Sequence, residues 1–220
     1  MGDNKYNKVL TIVLIVTGVI VLALFGFWGY DIYKKYYQKK ELNSVLEEFD
    51  LSHSDDDEKK SKTGNVTLDI NALNEDGFDG DSTQAVQTYK GFTVLGKLEI
   101  PSIDLKLPIL ARANKASMEA SVGVSYGPGP NKVGNTVIMG HNYRNGTFFS
   151  KLSEVKKNDE IYVTDLSGER VRYIAYNIYT TSADDFEYAS RDTAGKREIS
   201  LSTCTDDVSA RTVIWAKEAE

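Results

Sequence analysis

The sequence predicts an all-β domain held behind one membrane-spanning helix, and three observations carry that expectation. Val9 to Tyr30 reads VLTIVLIVTGVIVLALFGFWGY without a charged residue. From about Tyr89 the chain changes to short β-forming runs cut by turn residues. All the charge imbalance lies before that change: residues 1–88 carry 9 lysines and arginines against 15 aspartates and glutamates, whereas 89–220 carry 17 of each, so the net −6 belongs to the attachments.

About 20 apolar residues cross a hydrocarbon core, so 9–30 predicts a transmembrane helix with Phe25, Phe27, Trp28 and Tyr30 at one interface. A cleaved signal peptide has a shorter apolar core of about 7–15 residues and a small-residue cleavage site, which fits less well. Tyr6 stands where a myristoylation signal needs Ser or Thr. Residues 1–8 are the short leading segment. Lys34, Lys35, Lys39 and Lys40 outnumber Lys5 and Lys8, so charge alone would keep the C-terminal part in the cytoplasm.

Residues 31–88 form a connecting region. Leu42, Val45, Leu46 and Phe49 recur at helical spacing, as in a short amphipathic stalk, with a solvated coil as the alternative. Asp50 to Gln84 is acidic and poor in core formers, so it predicts a disordered spacer. His53 falls there and receives no role.

Residues 89–220 make the folded domain. FTVLGKLEI and LKLPIL read as strands, KASMEASVG as one short helix, SYGPGPNKVGN as turns and TVIMG as a buried strand. EIYVTDLSGERVRYIAYNIYT reads as a hairpin about Ser167 and Gly168, and REISLST and RTVIWAK as the last two strands. About seven or eight short strands with at most two short helices predict a closed barrel or a sandwich. A charge-neutral domain offers no basic footprint for nucleic acid.

The lone cysteine, Cys204, ends the REISLST run. Ile199 and Leu201 share one strand face; Glu198, Ser202 and Cys204 take the other, so the thiol is off the apolar face. A hairpin through TDDVSA would set Arg211 beside it, since facing backbones lie about 5 Å apart. His141 follows TVIMG, after a glycine that lets the chain turn. Structural alternatives stand for each: a small buried hydrophobe at Cys204, a backbone-capped ring at His141, and at Arg211 a solvated charge or a partner for Asp206 or Asp207.

Together the three suit acyl transfer. A thiol with an ordinary pKa of about 8.5 is a modest nucleophile, and a neighbouring imidazolium or guanidinium favours its thiolate. An imidazole can protonate a departing amine, and a guanidinium can hold an oxyanion. One cysteine forms no internal disulfide, and one Cys with one ordered His falls short of a zinc site, so no cofactor is expected. Calcium at Asp184 and Asp185 is left open.

SLSTC followed by an arginine opening the next strand resembles the TLxTC…R signature of the sortases, with Ser200 in place of the usual Thr. GNTVIMGHN resembles their strand-and-histidine segment, and LGKLEIPSIDLKLPIL their opening strands; the match runs from about Val94 to Lys217. The resemblance implies an eight-stranded β-barrel and a cysteine transpeptidase with His141, Cys204 and Arg211 as its catalytic residues. It implies cleavage of an LPxTG-like signal after its threonine, a thioester on Cys204, and transfer to an amine of a peptidoglycan precursor or a pilin lysine. Its substrates would be surface proteins or pilins of Gram-positive bacteria. Its topology would be an N-terminus in the cytoplasm with the barrel outside, against the lysine count.

The short His141–Cys204 interval resembles classes A, D and E, whereas LSTCT and GYDIYKKYYQKK resemble class B, so the subfamily stays open. The spacer has no Asp-Pro-Trp type plug, unlike lidded pilin polymerases. Two other readings remain: a membrane-anchored cysteine hydrolase, in which water resolves the thioester, and a non-catalytic surface module, against which WAKEAE offers no terminal sorting signal.

Overall fold

The computed structural model describes residues 3–52 and 87–219; most of the expected spacer, 53–86 with His53, lies outside the described residues. Two compact units emerge, Met1–Ser44 and Val45–Glu220.

A single helix, α1 (Asp3–Ser52), contains the whole of the first unit's described chain. No proline interrupts it, and the Thr17 hydroxyl returns its proton to the Val13 carbonyl at 2.6 Å, so its polar group is satisfied within the helix. The apolar side chains from Val9 to Tyr37 are exposed on every side. A helix apolar all round needs lipid or a protein interior, and this one is long and apolar enough to cross a membrane.

The expected stalk is a continuation of the same helix, and its last turns belong to the second unit. Leu46 is buried and Phe49 is 1% exposed. The Gln87 amide donates to the Val45 carbonyl at 3.0 Å. Asp50 accepts from the ammonium of Lys97 and lies 3.4 Å from that of Lys106. Lys97 is buried, so Asp50 offsets a charge that would otherwise be stranded away from water. Asp50–Ser52, expected at the start of the spacer, instead complete α1, and Asp50 is committed to the barrel.

Among the described residues nine strands follow: β1 (Thr88–Tyr89), β2 (Phe92–Ile100), β3 (Leu105–Leu110), β4 (Val122–Tyr126), β5 (Gly134–Met139), β6 (Glu160–Asp165), β7 (Arg170–Ser182), β8 (Arg197–Cys204) and β9 (Ala210–Glu218). Their order is β1-β2-β3-β4-β5-β8-β9-β7-β6, and β2 also pairs with β6. That pairing closes β2–β9 into the expected eight-stranded barrel, with the two-residue β1 appended to its edge. Gly96 sits at the closure, where a Cβ would lie 2.4 Å from the Thr164 carbonyl oxygen, so only glycine lets β2 and β6 meet. Leu98, Ile109, Ile138, Ile161, Leu201 and Ile214 are fully buried in the core.

The barrel is mixed: β3–β4 and β5–β8 are parallel, and the other pairs are antiparallel. The hairpin about Ser167 and Gly168 forms as expected; Asp165 accepts from the Ser167 amide at 2.9 Å, and Gly168 takes φ 82°. KASMEASVG differs from the expectation. Only Lys115–Met118 (α2) is helical, capped by Asn114, and Val122 already pairs with Ile109 in β4. Barrel pairing wins there over local helical pattern.

Replacing Phe49 tests the docking of the helix end. Phe49→Ala should destabilise the second unit by about 3 kcal/mol, read from urea unfolding of the detergent-solubilised chain. An unchanged midpoint would mean that residues 45–52 are not part of the barrel's folding unit.

Candidate active site

Strand pairing gathers the expected residues at one end of β8. Cys204 is the direct antiparallel partner of Arg211, so both point from the same face of the β8–β9 pair. In the parallel β5–β8 pair, Met139 lies opposite Ser202, and two further residues set His141 level with Cys204.

Hydrogen bonds fix that level on both sides of His141. The Gly140 N–H donates to the Ser202 carbonyl at 3.2 Å, and the Thr203 hydroxyl donates to the Gly140 carbonyl at 2.8 Å. Beyond the histidine, the Asn142 side chain donates to the Cys204 carbonyl at 3.1 Å and to Asp206 at 2.8 Å. The Phe149 N–H donates to the His141 carbonyl at 3.1 Å, closing the loop that carries the imidazole.

Gly140 serves packing and not the turn expected of it. It is absent from the positive-φ glycines, and a Cβ there would come within 2.7 Å of Val122 Cγ1 and 2.9 Å of Phe149 Cδ2.

The expected division of β8 into an apolar and a polar face needs refinement, because Ser200 and Ser202 are as buried as Ile199 and Leu201. The β7–β8 connection covers them. The Tyr188 hydroxyl donates to Ser202 Oγ at 3.1 Å, and Asn135 donates to the Tyr188 and Ala189 carbonyls at 2.9 and 3.0 Å. Arg191 pairs with Glu198, donates to Asn135 Oδ1 at 3.0 Å, and lies over the Trp215 ring. The cover ends one residue pair short of Cys204, which is free and half-buried. The small-hydrophobe alternative therefore fails on position.

Arg211 pairs with neither Asp206 nor Asp207. Its Nε donates to the Ala183 carbonyl at 2.8 Å, and its guanidinium carbon lies 5.1 Å from the Phe186 ring centre. Asp206 is taken by Asn142. Asp207 accepts from the Thr205 hydroxyl at 2.6 Å and the Ser209 amide at 3.2 Å, and these bonds hold its pKa down to about 2. Asp185 accepts from the Thr181 hydroxyl and from the Glu187 amide at 2.9 Å, which lowers its pKa too. Among the described residues no group of three or more His, Cys, Asp or Glu side chains is placed to hold a metal ion.

Asn142, Tyr143 and Phe186 did not stand out in the sequence. An asparagine or an aromatic beside a turn carries no local signature; Asn142 meets Cys204 and Phe186 meets Arg211 only through the fold, while Tyr143 contacts the nearby His141 and Phe148 rings.

A half-buried thiol on the outside of a closed mixed barrel, flanked by a histidine and an arginine, has the makings of a cysteine acyl-transfer enzyme. The sortase domain model matches residues 98–219, and the chain belongs to the sortase family, cysteine transpeptidases that act on sorting signals. Over 223 aligned residues it is 25% identical to Sortase A of Bacillus anthracis, covering 97% of this chain and 95% of that one. Sortase A from Corynebacterium diphtheriae superposes with a TM-score of 0.53 at 31% identity, over 59% of this chain and 62% of that one. The fold is also that of the Clostridium perfringens Sortase D5 transpeptidase, with a TM-score of 0.57 at 21% identity over 83% of this chain and 98% of that one.

Two outcomes test this geometry. Gly140→Ala should cost about 1–3 kcal/mol of stability by overpacking against Val122 and Phe149, read by chemical unfolding. Asp207 is an acid with a depressed folded pKa, so its support of the β8–β9 turn is complete above about pH 4, its ordinary range, and fades as pH falls toward about 2. The Ser209 amide signal in NMR should accordingly titrate with a midpoint near pH 2; a midpoint near 4 would contradict the hydrogen bonds.

Proposed function

We propose that this chain is a membrane-anchored sortase in which Cys204 is the nucleophile, His141 the general acid and base, and Arg211 the oxyanion and substrate-holding group. The observation that carries this is the Cys204–Arg211 cross-strand pair beside a histidine fixed by Gly140 and Asn142. The substrate is an LPxTG-like sorting signal on a surface protein or pilin.

The steps follow from the groups. The Cys204 thiolate attacks the threonine carbonyl carbon, and the Arg211 guanidinium balances the charge gathering on its oxygen. Collapse breaks the Thr–Gly bond as His141 gives its proton to the leaving amine, which leaves a thioester on Cys204. An amine of a peptidoglycan precursor or a pilin lysine then attacks, losing its proton to His141. A new amide bond forms and the thiolate departs.

Residues 9–30 are the membrane segment of α1, with 1–8 on the cytoplasmic side, 31–88 as the connection, and the catalytic domain 89–220 outside the cell. The compact spacing supports a class A, D or E type over class B: the connection between β7 and β8 contains one short 3-10 turn, Glu187–Ala189, and no inserted helix.

Mass spectrometry of the protein with an LPxTG peptide and hydroxylamine tests the reading. Wild type should form an acyl adduct at Cys204 and release the hydroxamate, while Cys204→Ala should form neither. Arg211→Ala should lower kcat/KM by about 10²–10³, with Arg211→Lys recovering little, because a point charge lacks the planar fork. His141→Ala should lose about 10²–10⁴. Free acid as the sole product, at saturating amine, would make the chain a hydrolase.

A further inference from the structure

The two cationic partners of the thiol share a feature that the mechanism does not use. Among the described residues, no carboxylate forms an ion pair with His141 or Arg211, although Asp185, Asp206 and Asp207 all lie within a few residues of Phe186, Cys204 or Arg211. Each of those carboxylates is committed elsewhere. What flanks each cationic group is a half-exposed aromatic ring. The His141 and Tyr143 rings lie 5.0 Å apart at 38°, and Arg211 lies over Phe186 at 5.1 Å.

Both rings are themselves anchored. Tyr143 contacts the Phe148 ring at 5.8 Å, and Phe148 is held at φ 48° by its bridge to Asn142. Phe186 lies 6.2 Å from Tyr188, a buried ring whose hydroxyl donates to Ser202 two residues before the thiol. Each brace thus runs from fixed structure to a side chain beside Cys204. Tyr143 is 44% exposed and Phe186 50% exposed, so neither is a core residue.

We infer that Tyr143 and Phe186 are positioning residues that hold the His141 imidazole and the Arg211 guanidinium in place where a carboxylate would otherwise orient them. This rests on the catalytic roles proposed above. The physical reason is charge. A carboxylate against either group would add a negative charge beside the sulfur, and a neighbouring negative charge disfavours a thiolate. An aromatic face attracts a cation through its quadrupole and offers flat contact area, yet carries no net charge. Orientation is gained and the field at the sulfur is kept.

The experiment is steady-state kinetics with an LPxTG peptide and hydroxylamine on the full chain in detergent, alongside thermal unfolding. Tyr143→Ala and Phe186→Ala should each lower kcat about two- to fivefold, with KM within about twofold of wild type and the unfolding temperature held. Tyr143→Phe and Phe186→Tyr keep the ring and should stay near wild type. Phe186→Leu keeps apolar bulk against Tyr188 without an aromatic face and should fall with Phe186→Ala. Alanine variants at full kcat, a loss confined to KM, or ring-retaining variants that fall as far as alanine would each overturn the inference. An inactive wild type, with Cys204 never acylated, would instead overturn the sortase reading on which it rests.

Discussion

The parallel pairing of β5 with β8 is the constraint on which the site depends. A hairpin brings Arg211 to Cys204 through a short turn, at small cost in loop entropy. His141 precedes Cys204 by about half of the domain, and Asn142 meets the Cys204 carbonyl across 62 positions. Such a contact exists only because β5 lies between β4 and β8 and pairs directly with the cysteine strand. The register then does the rest, because a slip of one residue would turn the Met139 end of β5 to the other side of the sheet.

Around that pairing the structure uses side chains to stiffen backbone rather than to pair charges. Thr203 ties β8 to the Gly140 carbonyl, and Asn142 ties the histidine loop to the Cys204 carbonyl and to Asp206. Gly140 admits Val122 and Phe149 so closely that the chain before His141 has nowhere to move. The turn after Cys204 is held by Asp207 through Thr205 and Ser209. Acidic side chains near the site are thereby held by hydroxyl and amide donors of neighbouring residues, and among the described residues none of them forms an ion pair with Arg211.

Much of this was legible in the sequence, for reasons that separate local from distant order. Strands β2, β3, β5 and the β6–β7 hairpin were visible because alternation and turn residues report on a few neighbouring positions. The Cys204–Arg211 pairing was visible because a short polar turn between two β runs permits little else. Three things were hidden. β4 runs from the end of KASMEASVG into the first residues of SYGPGPNKVGN, where a helix-like pattern followed by turn residues gave no sign that Val122 would be drawn into parallel pairing. The periodicity of Leu46 and Phe49 allowed an amphipathic helix, with a solvated coil as the alternative, but did not show its target, since the sequence does not say that Asp50 will meet Lys97. The burial of Ser200 and Ser202 was equally hidden, because the cover comes from the connection that precedes β8 and not from the strand itself.

That cover also explains why the thiol stands at 204 and no earlier on the same face. At 200 or 202 a sulfur would lie beneath Tyr188 and Arg191, fully buried, where desolvation disfavours the thiolate and no peptide can approach. A few residues further on, it would sit in the exposed turn of Asp206 to Ser209, with no cross-strand partner to bring it a guanidinium. Position 204 is the last rung of the β8–β9 ladder, paired with Arg211 yet beyond the edge of the cover. A reacting sulfur needs rigid placement on one side and open approach on the other, and the end of a half-covered strand supplies both.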